Sequence, residues 1–334
     1  MVVPDRTRNQ ETLEATHLRS VPMPNEYKQN SPDPLSKECL LYPQYGPLLA
    51  HGSIDIEHET VYWTAIFSEN KLAIDGLSVF LSGFGAPKHT STPFASELAV
   101  MGYPNITFTP PRRNARSRWQ RTTDPQSFHA EAITAVTNSF RKQTTLRKSL
   151  PHGDTLDLDN ELLITHSMGG LSASRYAQTS TRVQDIIHIS AVGFGSPTLR
   201  DIMTSVPLGL KDTLVKEIVP GVRNKHVEIS TKYILEMLRH CAVSPGQTID
   251  EALSCVLEDV RPRHQELRKR GIKIGYLAAQ YDTVVRPKAN IARHVDTYHV
   301  MPGLGHIAPQ CKPNRVANAV HEMHKNLQKL SQNR

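Results

Sequence analysis

What the sequence lacks narrows it first. No apolar run comes near the roughly eighteen residues of a membrane-crossing helix. The opening stretch, MVVPDRTRNQETLEATHL, has neither the basic start nor the apolar middle of a secretory leader. A soluble, cytoplasmic protein without a membrane span is expected. The four cysteines, at positions 39, 241, 255 and 311, form no C-x-x-C pair. That spacing suits neither a zinc site nor a disulfide framework, so they read as reduced thiols. Sixteen histidines invite a metal, yet no H-E-x-x-H or similar helical pair appears. His321 and His324 stand three apart on a late helix without a ligand partner in nearby sequence, and they read as a solvated helix face. No metal and no organic cofactor are expected.

What remains is ordinary in composition and informative in pattern. At 334 residues, 38% hydrophobic and 21% charged, the chain can bury a substantial core. The net charge of +7 is too diffuse to argue nucleic-acid binding. One stretch is denser: PPRRNARSRWQR (110–121) sets five arginines around one tryptophan. Nucleic-acid contact, a nuclear address and a solvated loop are all readings of it.

Along the chain, residues 1–50 are rich in Pro, Asn, Gln and charge, and read as an N-terminal extension, an extended arm ordered only where it lies on the body. SIDIEHETVYWTAIFS (53–68) alternates Ile54, Ile56, Val61, Trp63 and Ala65, predicting a hairpin that bends at HET. GLSVFLSGFG (76–85) and NITFT (105–109) read as short buried strands. Between them, STPFASELAVMGY offers Thr92 as a helix cap, Pro93 at the first helical position and Gly102 as the stop. Asp124 and Pro125 repeat that arrangement, with Ile133, Val136 and Phe140 at helical spacing. ELLITHS, VQDIIHISAVGFG (183–195), GIKIGYLAAQYD (271–282) and the weaker DTYHVMPG (296–303) continue the strands. Val316, Val320, Met323, Leu327 and Leu330 mark a last helix. Strands alternating with helices imply an α/β fold with a mostly parallel sheet covered on both faces.

Residues 196–270 break that rhythm with about seventy-five residues of helical pattern, read as an inserted helical cap, or lid. The expected division is therefore an extension at 1–50, a core at 51–195 and 271–334, and a cap at 196–270.

Chemistry concentrates where ELLITHSMGG (161–170) stops abruptly at a serine among small residues. A nucleophilic hydroxyl must be presented outside the ladder, beside a base and N–H donors for an oxyanion. A tight strand-to-helix turn presents it and aims a helix N-terminus at developing negative charge. Gly169 and Gly170 suit the close approach on the helix side. Thr165 stands where the G-x-S-x-G pattern has its first glycine, so it poses a test of local room.

Here the chain resembles the α/β-hydrolase family, and ITHSMGG looks like its nucleophile elbow. That family orders its triad Ser, acid, His. The resemblance implies Ser167 as nucleophile. It implies Asp282 as the acid, directly after the strand of YLAAQYDTVV, and His306, in MPGLGHIAP, as the base. By itself Asp282 reads as a turn residue, and His306 as a surface histidine; the order of the three, in register with Ser167, favours the triad. The resemblance also implies oxyanion donors at the backbone N–H groups of Met168 and Phe84. The latter lies in SGFG (82–85), where Ser82 replaces a common histidine and Gly83 and Gly85 let the backbone approach substrate. Arg112, Arg113 or Arg116 would then lie near the mouth of the site, able to contact a substrate carboxylate or phosphate.

The function implied is a serine hydrolase acting on a small-molecule acyl substrate, an ester, thioester or related bond. Carbon–carbon bond hydrolases and acyltransferases share the triad and stay open. A serine nucleophile argues against the haloalkane and epoxide hydrolases of the fold, which use aspartate. A binding protein that has lost catalysis is the alternative from a different class.

Overall fold

The computed structural model describes residues 48–56, 59–83, 88–109, 124–194, 242, 245–286 and 288–332. The alternation at 54, 56, 61, 63 and 65 does make a hairpin. β1 (Leu48–Ile56) pairs antiparallel with β2 (Glu59–Phe67), with Ile54 opposite Val61 and Ala50 opposite Ala65. The strand thus begins five residues before the start read from its pattern.

Next come β3 (Gly76–Leu81), α1 (Lys88–Val100), β4 (Asn105–Phe108), α2 (Pro125–Lys142), the short α3 (Thr144–Lys148), β5 (Asp157–His166), α4 (Gly169–Thr179) and β6 (Val183–Ile189). The later elements are α5 (Pro245–Leu257), α6 (Arg261–Lys269), β7 (Lys273–Ala279), β8 (Thr297–Met301), α7 (Ala308–Cys311) and α8 (Pro313–Gln332). Among the described residues they build an eight-stranded sheet in the order β1-β2-β4-β3-β5-β6-β7-β8. The β1-β2 and β2-β4 pairs are antiparallel, and every pair from β4 onward is parallel.

Because side chains alternate along a strand, each strand feeds two cores. Leu77, Val79 and Leu81 of β3, Leu163 of β5 and Ile186 of β6 pack with Phe128, Ile133 and Phe140 of α2 and with Leu171 and Tyr176 of α4. Phe80 of β3, Leu162 and Ile164 of β5 and Ile187 of β6 turn the other way, onto Phe94 and Leu98 of α1 and Val316, Val320 and Leu327 of α8. Burial on both faces explains why the parallel strands read as unbroken apolar runs.

Two helix starts show local chemistry winning and losing. Asp124 caps α2 as its sequence implies, its carboxylate accepting from the Gln126 and Ser127 N–H groups. The same logic fails at α1, which begins at Lys88, so that Thr92 and Pro93 lie inside it. Ser91, Thr92, Phe94 and Ala95 are all buried, and α1 packs across β2 and β4; tertiary burial outweighs the missing proline N–H. Gly102 does end the helical segment, at φ +86.

Three further readings need correction. His324 is buried, its Nε2 3.5 Å from Asp185, and Tyr103 Oη lies 3.0 Å from His321 Nδ1 and 3.2 Å from His324 Nδ1. That face of α8 is therefore packed, because Tyr103 and Asp185 come from distant strand ends. Leu330, read as part of the apolar stripe, is 40% exposed, one turn past the core. β6 ends at Ile189, short of 195, where Ser190 turns to φ +46.

Residues 1–47 of the expected arm lie outside the described residues, as does 196–241 of the expected cap. Of that cap range, α5 packs on α2, whereas α6 lies on α4 and β7, in the layer covering the sheet. No described helix is long and apolar enough to cross a membrane.

Candidate active site

β5 delivers its chain to Ser167, which sits at φ +54, a left-handed conformation costly for a residue with a Cβ. The surroundings hold it there. Ser167 N–H donates to the Ile189 carbonyl at 3.1 Å, and its own carbonyl accepts from Gly170 and Val192 N–H at 3.2 and 3.3 Å. α4 starts two residues later, so its N-terminus faces the hydroxyl.

The close approach expected of this turn is real. A Cβ on Gly169 would stand 2.5 Å from the Leu81 carbonyl oxygen, which is backbone and cannot move aside. A Cβ on Gly83 would stand 2.9 Å from Ser167 Cβ. Thr165 causes no such conflict. It faces its sheet partner His188 on β6, with Oγ1 2.7 Å from His188 Nδ1. Lateral room in the sheet takes the side chain that the turn itself could not.

Asp282 follows β7 after a short turn, and its side chain is fully buried. One carboxylate oxygen accepts from the Val284 and Val285 N–H groups at 2.9 and 2.7 Å. The other lies 2.9 Å from His306 Nδ1. His306, after β8, brings Nε2 to 3.1 Å from Ser167 Oγ. An ionised carboxylate only accepts. Nδ1 therefore carries the imidazole proton, and Nε2 is left to accept the Ser167 O–H. The three residues read separately from sequence meet in one continuous hydrogen-bonded line.

A further histidine takes part. His166, fully buried, donates from Nε2 to the His306 carbonyl at 2.8 Å, with ring centroids 5.0 Å apart. Burial, then the neighbouring His306, push its pKa down to about 3. It stays neutral, so a charge forming on His306 meets no like charge there.

The Met168 N–H points from the start of α4, and no described residue accepts from it. Beside it a small cavity is lined by Leu81, Ser82, Phe108, His129, Ile133, Met168, Gly169 and Ser172. Phe84, Gly85, Arg112, Arg113 and Arg116 lie outside the described residues. Among the described residues no group of His, Cys, Asp and Glu is arranged to hold a metal ion.

Sequence reasoning missed His166, His188 and His264. The available signal was polar residues inside apolar strands: ITHS and DIIHIS each carry a histidine where burial on both faces is expected.

No family model matches the sequence, and no curated protein matches it. Solved structures do match the fold. An esterase, RhEst1, from Rhodococcus sp. ECU1013 superposes with TM-score 0.56 at 15% identity, over 82% of this chain and 98% of that one. A thermophilic esterase from Thermogutta terrifontis gives 0.54 at 16% identity, over 80% and 94%. A bromoperoxidase from Bacillus anthracis gives 0.52 at 15% identity, over 80% and 96%. The fold of this chain is the α/β-hydrolase fold.

Proposed function

We propose that this chain is a serine hydrolase that cleaves an ester, thioester or related acyl bond of a small molecule through an acyl-enzyme. One observation carries the reading: Ser167 Oγ, His306 and Asp282 form a continuous hydrogen-bonded line, with the serine on a left-handed turn at a helix N-terminus.

In this mechanism Ser167 Oγ attacks the acyl carbonyl while His306 Nε2 takes its proton. Asp282 keeps the imidazole in the Nδ1–H tautomer and offsets the charge as it forms. The developing oxyanion is met by the Met168 N–H, and by the Phe84 N–H as the second donor inferred from sequence. His306 then gives its proton to the leaving alcohol or thiol, and the acyl group remains on Ser167. A water, deprotonated by the same Nε2, releases the acid and restores the serine. The residues of 196–244, with α5, are proposed as the cap over this site.

The fold alone is compatible with a binding protein. A left-handed serine braced by three backbone hydrogen bonds is strained machinery that binding does not need. Hydrolysis of p-nitrophenyl esters of short and long acyl chains tests the reading. Turnover that falls at least about 10³-fold in Ser167→Ala supports it. Folded wild-type protein inert to the whole series counts for the binding protein.

A further inference from the structure

We infer that Thr165, His188, His264 and Ser174 form a buried hydrogen-bonded chain that braces the Ser167 turn from behind. His188 is its central positioning residue. The inference rests on the serine-hydrolase reading and deepens it.

The chain begins two residues before the serine and ends three residues after it. Thr165 Oγ1 meets His188 Nδ1 at 2.7 Å, and His188 Nε2 meets His264 Nε2 at 3.2 Å. His264 Nε2 also lies 3.1 Å from Ser174 Oγ, which donates to the Gly170 carbonyl at 2.7 Å. Thr165 is the strand side of the turn and Gly170 the helix side. A Cβ on Gly170 would lie only 3.1 Å from His188 Nδ1, so the ring sits directly against the helix start.

The protons can be assigned. Ser174 spends its only O–H on the Gly170 carbonyl, so His264 Nε2 must carry a proton to bond Ser174 Oγ. That same N–H then faces His188 Nε2, which has to be the accepting nitrogen. A neutral His188 accepting at Nε2 carries its proton on Nδ1 and donates to Thr165 Oγ1. Both rings are neutral in this arrangement. Burial agrees, holding His188 at about 3 and His264 well below the usual histidine range.

Nothing loosens the chain. Thr165, His188, His264 and Ser174 are all fully buried, so water does not compete for their bonds. The imidazoles stack at 5.0 Å and 17°, and Phe194 packs edge-on against both. A left-handed serine persists only where its surroundings over-determine it. A small residue at position 165 would merely leave room; threonine joined to His188 ties the strand to the helix across the turn.

Thr165→Val tests this, since it keeps the branched shape and removes the acceptor; Thr165→Ser restores the hydroxyl. kcat and KM on p-nitrophenyl butyrate and the rate of fluorophosphonate attachment to Ser167 are measured together. Thr165→Val is expected to lower kcat and attachment in parallel by about 10- to 100-fold, with KM within about twofold of wild type. Thr165→Ser is expected to stay near wild type. In wild-type protein, imidazole ¹⁵N spectra should show His188 protonated at Nδ1 and His264 at Nε2. A folded Thr165→Val with wild-type kcat and attachment rate overturns the inference, as does the opposite tautomer on either ring. If Thr165→Val does not fold, His264→Leu repeats the test from the helix side: the same parallel loss supports it and wild-type rates refute it. Wild-type protein inert to both ester and probe defeats the hydrolase reading itself, and the inference falls with it.

Discussion

His166 Nε2 donates to the His306 carbonyl oxygen across 2.8 Å, so the residue preceding Ser167 holds the backbone of His306. Ser167 and His306 are thereby fixed to each other through main chain as well as through their own 3.1 Å contact. His166→Phe keeps a flat ring and deletes the donor. It is expected to lower kcat about tenfold with little change in KM. His166→Gln, which retains an N–H at similar reach, should recover much of the loss. Steady-state kinetics on one ester decides the point.

The buried histidines make stability depend on acidity. His166 and His188, both held at about 3, and His264, held well below its usual range, are neutral in the fold. The unfolded chain binds protons on all three as pH drops below about 6.5. Their contribution is present above about pH 6.5 and is lost as pH falls toward 3. Each steepens the decline by up to about 1.4 kcal/mol per pH unit. Urea unfolding at pH 7.5, 6 and 5 should show a flat region followed by a steep fall. His166→Phe should show a shallower one.

Glu161 is fully buried in the middle of β5, paired with Arg141 of α2, and its Oε2 accepts from Tyr176 Oη of α4 at 2.7 Å. Arg141→Met leaves that carboxylate without its cation. The expected cost is about 3–5 kcal/mol by chemical denaturation. Tyr176→Phe removes one hydrogen bond to a charged acceptor and should cost about 1.5–3 kcal/mol.

Gly83 packs against Ser167 itself, and Gly169 packs against the backbone at the end of β3. Gly169→Ala drives a Cβ against the Leu81 carbonyl at 2.5 Å and should destabilise the fold by about 1–3 kcal/mol. Gly83→Ala meets Ser167 Cβ at 2.9 Å. It should lower kcat more than stability, read as a tenfold or greater loss of turnover with a thermal midpoint shifted by only a few degrees.

Part of this site is legible in sequence because its constraints are local. A strand that ends among glycines at a serine follows from short-range backbone rules, whereas Asp282 and His306 are picked out by the triad order that the family resemblance implies. The α/β class follows from the alternation of apolar strands and amphipathic helices. What sequence hides is contact between residues far apart. His188 and His264 are separated by 76 positions, and nothing near either predicts that they stack. His324 reads as solvated until Tyr103, 221 positions away, supplies its partner. At α1 the Thr92-Pro93 signal is locally sound, and packing across β2 and β4 overrides it.

The central claim is that Ser167 is an activated nucleophile. Its most direct measurement is intact-protein mass after treatment with a fluorophosphonate, followed by peptide mapping. The account predicts one adduct per chain, located on Ser167, absent in Ser167→Ala and slowed at least about 10³-fold in His306→Ala. Folded wild-type protein that takes up no adduct, or takes it up at another residue, would contradict it.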